Sequence, residues 1–159
     1  MSEYRSDTEL ASLSARLDRL ESRYEIERLV ANTCHGVDKR DEATFLSIWH
    51  DDGVWVRPQG DFRGKSEILR ALREFVWTAW QSTQHWATNL VTEIDGDVAS
   101  GTFDMSMQGV AATGASAFMS ATYTDRYARR DGRWGIVQRK FQPKYFAHAP
   151  GINFEPPKK

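Results

Sequence analysis

Residues 83–142, TQHWATNLVTEIDGDVASGTFDMSMQGVAATGASAFMSATYTDRYARRDGRWGIVQRKFQ, decide the fold. β-Branched and aromatic residues dominate this stretch, and turn signals recur at hairpin spacing. The reading is four strands near 83–94, 98–109, 115–129 and 133–142, joined at Asp95-Gly96-Asp97, at a Gly109 to Gly114 loop and at Asp131-Gly132. Consecutive hairpins imply a largely antiparallel sheet. Residues two apart share a face, so Phe103, Met105 and Met107 oppose Thr102, Asp104, Ser106 and Gln108. In the next strand Ala117, Met119, Ala121, Tyr123 and Asp125 oppose Phe118, Ser120, Thr122 and Thr124. Neither face is cleanly polar. A curved sheet that lines a cavity on one side and meets a helix or subunit on the other accounts for this, and so does an ordinary core with mediocre alternation.

Upstream, the periodicity is helical. Leu10, Leu13, Leu17, Leu20 and Tyr24 recur at gaps of three and four, and Ile26, Leu29, Val30, Thr33 and Cys34 broaden the stripe. This is one long amphipathic helix, read as covering its own domain or a neighbouring subunit and broken at Gly36. A short helix is expected over Asp41 to Trp49, and a strand at Val54 to Val56 that ends before Pro58. A third helix follows, N-capped by Ser66 and carrying Ile68, Leu69, Leu72, Phe75, Val76, Ala79 and Trp80. Helices first and strands last define an α+β domain spanning residues 1–159, with a C-terminal arm or lid from about residue 147.

Composition narrows the function. The 159 residues carry 21 Lys+Arg against 22 Asp+Glu, so no positive field is available to hold a nucleic acid. One cysteine, Cys34, closes no intrachain disulfide and fits a reducing compartment. The start lacks the order of a secretion signal and no stretch approaches a spanning helix, so a soluble, cytoplasmic protein with no membrane partner is expected. His35, His50, His85 and His148 show no paired ligand spacing for a metal, and no phosphate loop or nucleophile elbow is present.

Two residues stand out. His85 lies early in a strand among Trp80 and Trp86, where a sheltered imidazole can act as a general base; a core histidine satisfied by a backbone carbonyl is the plainer reading. Asp38 sits where the long helix ends, a poor place for an acid because the helix C-terminus already carries partial negative charge. Compensation comes either from Lys39 and Arg40 at the surface or from a histidine inside.

The order GVDKRDEATFLSIWHDDGVW at 36–55, TQHWATNL at 83–90, ATYTDRYARRDGRW at 121–134 and GINFEPP at 151–157 resembles the SnoaL-like branch of the nuclear transport factor 2-like superfamily. Within it the resemblance is to the gamma-hexachlorocyclohexane dehydrochlorinases, with scytalone dehydratase and bile-acid 7-alpha-dehydratase more distant. It extends over roughly residues 17–154. The resemblance implies a cone-shaped α+β barrel around one pocket, a homotrimer, and activity with no cofactor and no metal. It places a catalytic Asp-His pair on Asp38 and His85 and a pocket arginine on Arg139. Wall positions fall on Thr33, Cys34, Trp55, Val76, Trp80, Thr83, Met105, Met107, Met119, Tyr123, Phe141 and Pro143. Thr33 stands where the dehydrochlorinases carry a lysine that receives chloride. The expectation is therefore a lyase acting on a small hydrophobic substrate, a dehydratase before a dehydrochlorinase. An isomerase or cyclase using the same pair, or a non-catalytic binding or assembly module, is the alternative.

Overall fold

Helix α1 (Ser2–Asp38) runs two residues past the glycine expected to stop it. Gly36 serves close approach instead, since a Cβ there would lie 2.8 Å from the backbone N and Cα of Phe45. Phe45 belongs to α2 (Glu42–Ser47), whose start is fixed by Asp41: its carboxylate accepts the Thr44 N–H at 3.0 Å and the Thr44 hydroxyl at 2.7 Å. The structure, a computed structural model, describes residues 2–152 and 154, with side chains from residue 7 onward. Of the C-terminal arm expected from about residue 147, residues 147–148 belong to the last strand, and 153 and 155–159 lie outside the described residues.

The buried face of α1 is Ser22, Ile26, Val30, Thr33 and Val37. Of the two roles read for the leucine stripe, covering its own domain is not the one seen: Leu10, Leu13, Leu17, Leu20 and Tyr24 are 56–65% exposed on the single chain. The reason is geometric, because a helix of 37 residues at about 1.5 Å each outruns the sheet it packs on.

Strand β1 (Trp49–Arg57) begins five residues earlier than expected and turns into β2 (Gly60–Arg63). Helix α3 (Gly64–Leu72) follows directly; Arg63 precedes it with no side-chain cap, so Ser66 lies inside the helix and does not cap it. Its apolar face buries Ile68, Ala71 and Leu72, and residues Arg73–Trp77 widen into a π-helical turn. Trp80 then opens a strand, where a helical position was expected.

The hairpin region forms β3 (Trp80–Asp95), β4 (Val98–Ala111), β5 (Ser116–Arg130) and β6 (Arg133–His148). The six-stranded sheet has the order β2-β1-β6-β5-β4-β3, antiparallel except for the β1–β6 pair. Burial follows the alternation: Phe103, Met105, Met107, Ala121 and Tyr123 are buried on one face, together with Asp125, while Thr102, Asp104, Ser106 and Gln108 on the other are not. Strand β6 was expected to end at Gln142. It continues six residues further through a bulge: Ala121 pairs Pro143 and Ser120 pairs Tyr145, leaving Lys144 as the extra residue.

Beneath α1 to α3 the core is aromatic. Phe45, Trp49 and Trp55 meet at centroid distances of 5.6–6.2 Å, backed by Ile48, Ile68 and Leu72. Each fully buried side chain of this size contributes about 1.5–3 kcal/mol. A second cluster of Val30, Phe103, Met105, Met107, Ala121 and Tyr123 lies toward the β3 edge. No helix among the described residues is long and apolar enough to cross a membrane.

Candidate functional site

The concave face of the sheet does not close fully against the helices, and a cavity of about 420 Å³ remains. Of the residues assigned to a pocket wall, Thr33, Trp55, Val76, Trp80, Thr83, Met105, Met107, Met119, Tyr123, Phe141 and Pro143 line it. His85 lines it too. The strands bring these residues together by phase: Thr83 and His85 on β3, Met105 and Met107 on β4, and Met119 and Tyr123 on β5 alternate inward.

Asp38 stands behind His85 and off the cavity wall. Its Oδ1 contacts His85 Nδ1 at 2.5 Å and accepts the Thr83 hydroxyl at 2.8 Å, and its Oδ2 accepts the His85 backbone N–H at 2.8 Å. Both side chains are 10% exposed. Burial by itself pushes the Asp38 carboxyl up, but the bonds from the His85 ring and backbone and from Thr83 more than offset this and hold it below the ordinary carboxylate value. An ionised carboxylate can only accept, so the shared proton belongs to Nδ1. Nε2 is then the ring's basic nitrogen, and no protein group among the described residues bonds to it. The compensation that Asp38 requires at the end of a helix comes from inside, through His85 and Thr83; Lys39 and Arg40 do not supply it.

Arg139 does not face the cavity. It is fully buried: its Nε donates to Asp125 Oδ1 at 2.8 Å, its Nη2 to Asp125 Oδ2 at 2.5 Å, and its Nη1 to Thr33 Oγ1 at 2.6 Å. Burial works against its charge, and the paired Asp125 carboxylate more than restores it, raising its pKa. Tyr127 completes the node by donating to Asp125 at 2.8 Å. The expected pocket arginine is thus a strut joining α1 to β5 and β6. Thr33 is similarly committed, since its hydroxyl donates to the Leu29 carbonyl at 3.0 Å while accepting from Arg139. No proton of this hydroxyl is free for a guest, although the side chain touches the cavity.

Cys34 lies not on this cavity but on a neighbouring depression of about 350 Å³, lined by Val30, Trp86, Ala87 and Leu90 and bordered also by Asp38 and His85. Burial pushes its thiol up to about 11, with the Asp38 charge adding to the effect. One helix turn carries both residues, and neighbours on a helix diverge by about 100°, so Thr33 and Cys34 cannot both point inward.

Sequence reasoning missed Arg57, Phe75 and Phe146, all of which line the cavity. The signal for Arg57 was its phase, two residues from Trp55 on one strand. His50 is a core histidine: Nε2 lies 2.9 Å from the Ala128 carbonyl, and Arg133 donates to Nδ1 at 3.2 Å. No group of three or more His, Cys, Asp or Glu side chains converges among the described residues.

A SnoaL-like domain model matches residues 18–140. The chain belongs to the SnoaL-like family. Hexachlorocyclohexane dehydrochlorinase 1 of Sphingobium indicum is 36% identical over 144 residues, covering 89% of this chain and 94% of that one. The solved hexachlorocyclohexane dehydrochlorinase LinA-type3 of Novosphingobium barchaimii is 36% identical, with a TM-score of 0.85 over 89% of this chain and 99% of that one. A nuclear transport factor 2-like superfamily protein of Salmonella enterica shares the fold alone, at 16% identity and a TM-score of 0.71 over 82% of this chain and 96% of that one. The preference for water over halide, argued from Thr33, gains nothing from the first two of these, which are dehydrochlorinases by name.

Proposed function

We propose that this SnoaL-like chain is a cofactor-independent lyase that performs a 1,2-elimination on a small hydrophobic substrate. The observation that carries the reading is the Asp38–His85 contact, which leaves Nε2 as the basic nitrogen of a histidine that lines an apolar cavity. His85 Nε2 takes a proton from a substrate carbon, the C–H electron pair becomes the new C=C bond, and the adjacent C–X bond breaks with its pair on the leaving group. Asp38 fixes the tautomer and stabilises the imidazolium that forms. Its charge counts for more here than in water, because both side chains are nearly buried. Met105, Met107 and Met119 give the wall a polarisable surface that adapts to an irregular apolar guest.

The names of the relatives make chloride the first leaving group to test, and an alcohol losing water the second. The experiment incubates the protein with hexachlorocyclohexane isomers and with cyclic alcohols of similar volume, reading product mass. Loss of HCl or of water supports elimination; product of unchanged mass identifies an isomerase, and binding without turnover by any substrate identifies a module. His85→Gln is expected to lower turnover by about 10²- to 10⁴-fold while folding normally. Wild-type turnover by that variant refutes the role of His85. We further propose a homotrimer, supported by the exposed leucine row of α1 together with exposed Trp86 and Val91 on β3; light scattering at the mass of one chain overturns it.

A further inference from the structure

Arg57 is the last residue of β1 and lines the same cavity as His85. Its situation is the reverse of Arg139's. Arg139 spends its donors on Asp125 and Thr33, whereas Arg57 forms no ion pair with any carboxylate among the described residues. Its one side-chain hydrogen bond among them is a long 3.4 Å contact from Nε to the Gln59 side chain. The guanidinium carbon lies 4.4 Å from the centre of the Trp55 ring and 5.4 Å from that of Phe141. Stacking of this kind holds the planar group by its faces and leaves the Nη donors free in its plane. Burial lowers the Arg57 pKa from its ordinary value, with Tyr123 acting in the opposite sense, so the charge is partly stripped of water and given no protein carboxylate in return. A cation kept under those conditions at a cavity wall is matched by an anion brought by the guest.

We infer that Arg57 is an anion subsite and that the cavity takes a small apolar molecule bearing a carboxylate, with the carboxylate on Arg57 and the hydrocarbon against Met105, Met107 and Tyr123. The fork of a guanidinium fits the two oxygens of a carboxylate, which is why this group is preferred over a point anion. The inference rests on the elimination reading only for what happens to the guest afterwards; binding itself needs no chemistry.

The test is a binding measurement with 2-naphthoate and its uncharged counterpart 2-naphthamide at neutral pH, followed by tryptophan fluorescence and calorimetry. The wild-type protein is expected to bind the acid about 10- to 100-fold tighter than the amide, the range for a charge-assisted pair in a sheltered site. Arg57→Met is expected to abolish that preference while binding the amide as the wild type does. His85→Gln is expected to keep the preference, which separates this subsite from the proposed base. Equal affinity of the wild type for acid and amide overturns the inference whatever the variants do. So does a preference that survives in Arg57→Met or disappears in His85→Gln. Equal wild-type affinities refute the inference without any variant, and where Arg57→Met folds poorly, Arg57→Gln takes its place in locating the preference. Should the preference hold while no substrate is turned over, the subsite stands and the elimination reading falls.

Discussion

Asp125→Asn isolates the role of the buried arginine. Asp125 and Arg139 are both fully buried, and the carboxylate accepts two bonds from the guanidinium and one from the Tyr127 hydroxyl. An amide has one acceptor oxygen, so at least one donor loses its partner and the guanidinium charge stays buried without a counter-ion. Breaking a buried pair from one side costs about 3–5 kcal/mol. For a chain of this length each kcal/mol moves the thermal midpoint by about 2–4 °C. The expected drop is therefore roughly 6–20 °C, read by thermal melts and urea titration. The triple variant Asp125→Leu, Tyr127→Phe, Arg139→Met removes the charges and the orphaned hydroxyl together, and is expected to recover most of the loss because nothing polar is stranded. An Asp125→Asn protein within about 1 kcal/mol of wild type, or a triple variant as unstable as the single, refutes the strut.

Three further outcomes follow from the geometry. Asp38 has a depressed folded-state pKa, so its stabilising contribution is complete above about pH 4 and is lost as pH falls through that lower value. Urea midpoints of wild type and Asp38→Asn taken from pH 7 to pH 3 are expected to converge at the acid end, and a constant gap contradicts the assignment. With a thiol at about 11, Cys34 is about 0.1% thiolate at pH 8, and iodoacetamide is expected to label it more than about 100-fold slower than a free cysteine, by mass spectrometry. Gly36→Ala places a methyl 2.8 Å from rigid backbone atoms of Phe45 and is expected to cost about 1–3 kcal/mol in urea unfolding, since neither helix can give way without disturbing Asp41 and Asp38.

How much of this was readable in advance depends on whether a residue's direction follows from local rules. The α+β order, the antiparallel hairpins and the phase of Met105, Met107, Met119 and Tyr123 follow from period-two alternation and turn residues, which are properties of a few neighbouring positions. Asp38 was suspect on electrostatic grounds alone, because an acid ending a helix must be compensated, and Thr83 and His85 do that. Arg139 and Asp125 lie 14 residues apart on adjacent strands, and nothing local to either shows that they meet or that Thr33 completes the set. Gly36 was taken for a breaker because propensity weighs a glycine without its neighbours, whereas its purpose lies in Phe45, nine residues on and in another helix. Arg57 was hidden by Pro58, which closed the expected strand one residue too soon.

The supernumerary Lys144 has a consequence for the cavity wall. Before it, the side chains of β6 that reach the cavity carry odd numbers, Phe141 and Pro143; after it they carry even ones, through Phe146, whose ring lies 6.2 Å from that of Trp80. Were Lys144 paired regularly instead of bulged out, the strand's end would be turned by half a turn, sending Phe146 to solvent and swinging the phenol of Tyr145 inward in its place. The cavity wall on this side is consequently a matter of parity: a single bulged position selects a hydrocarbon ring over a hydroxylated one to line it.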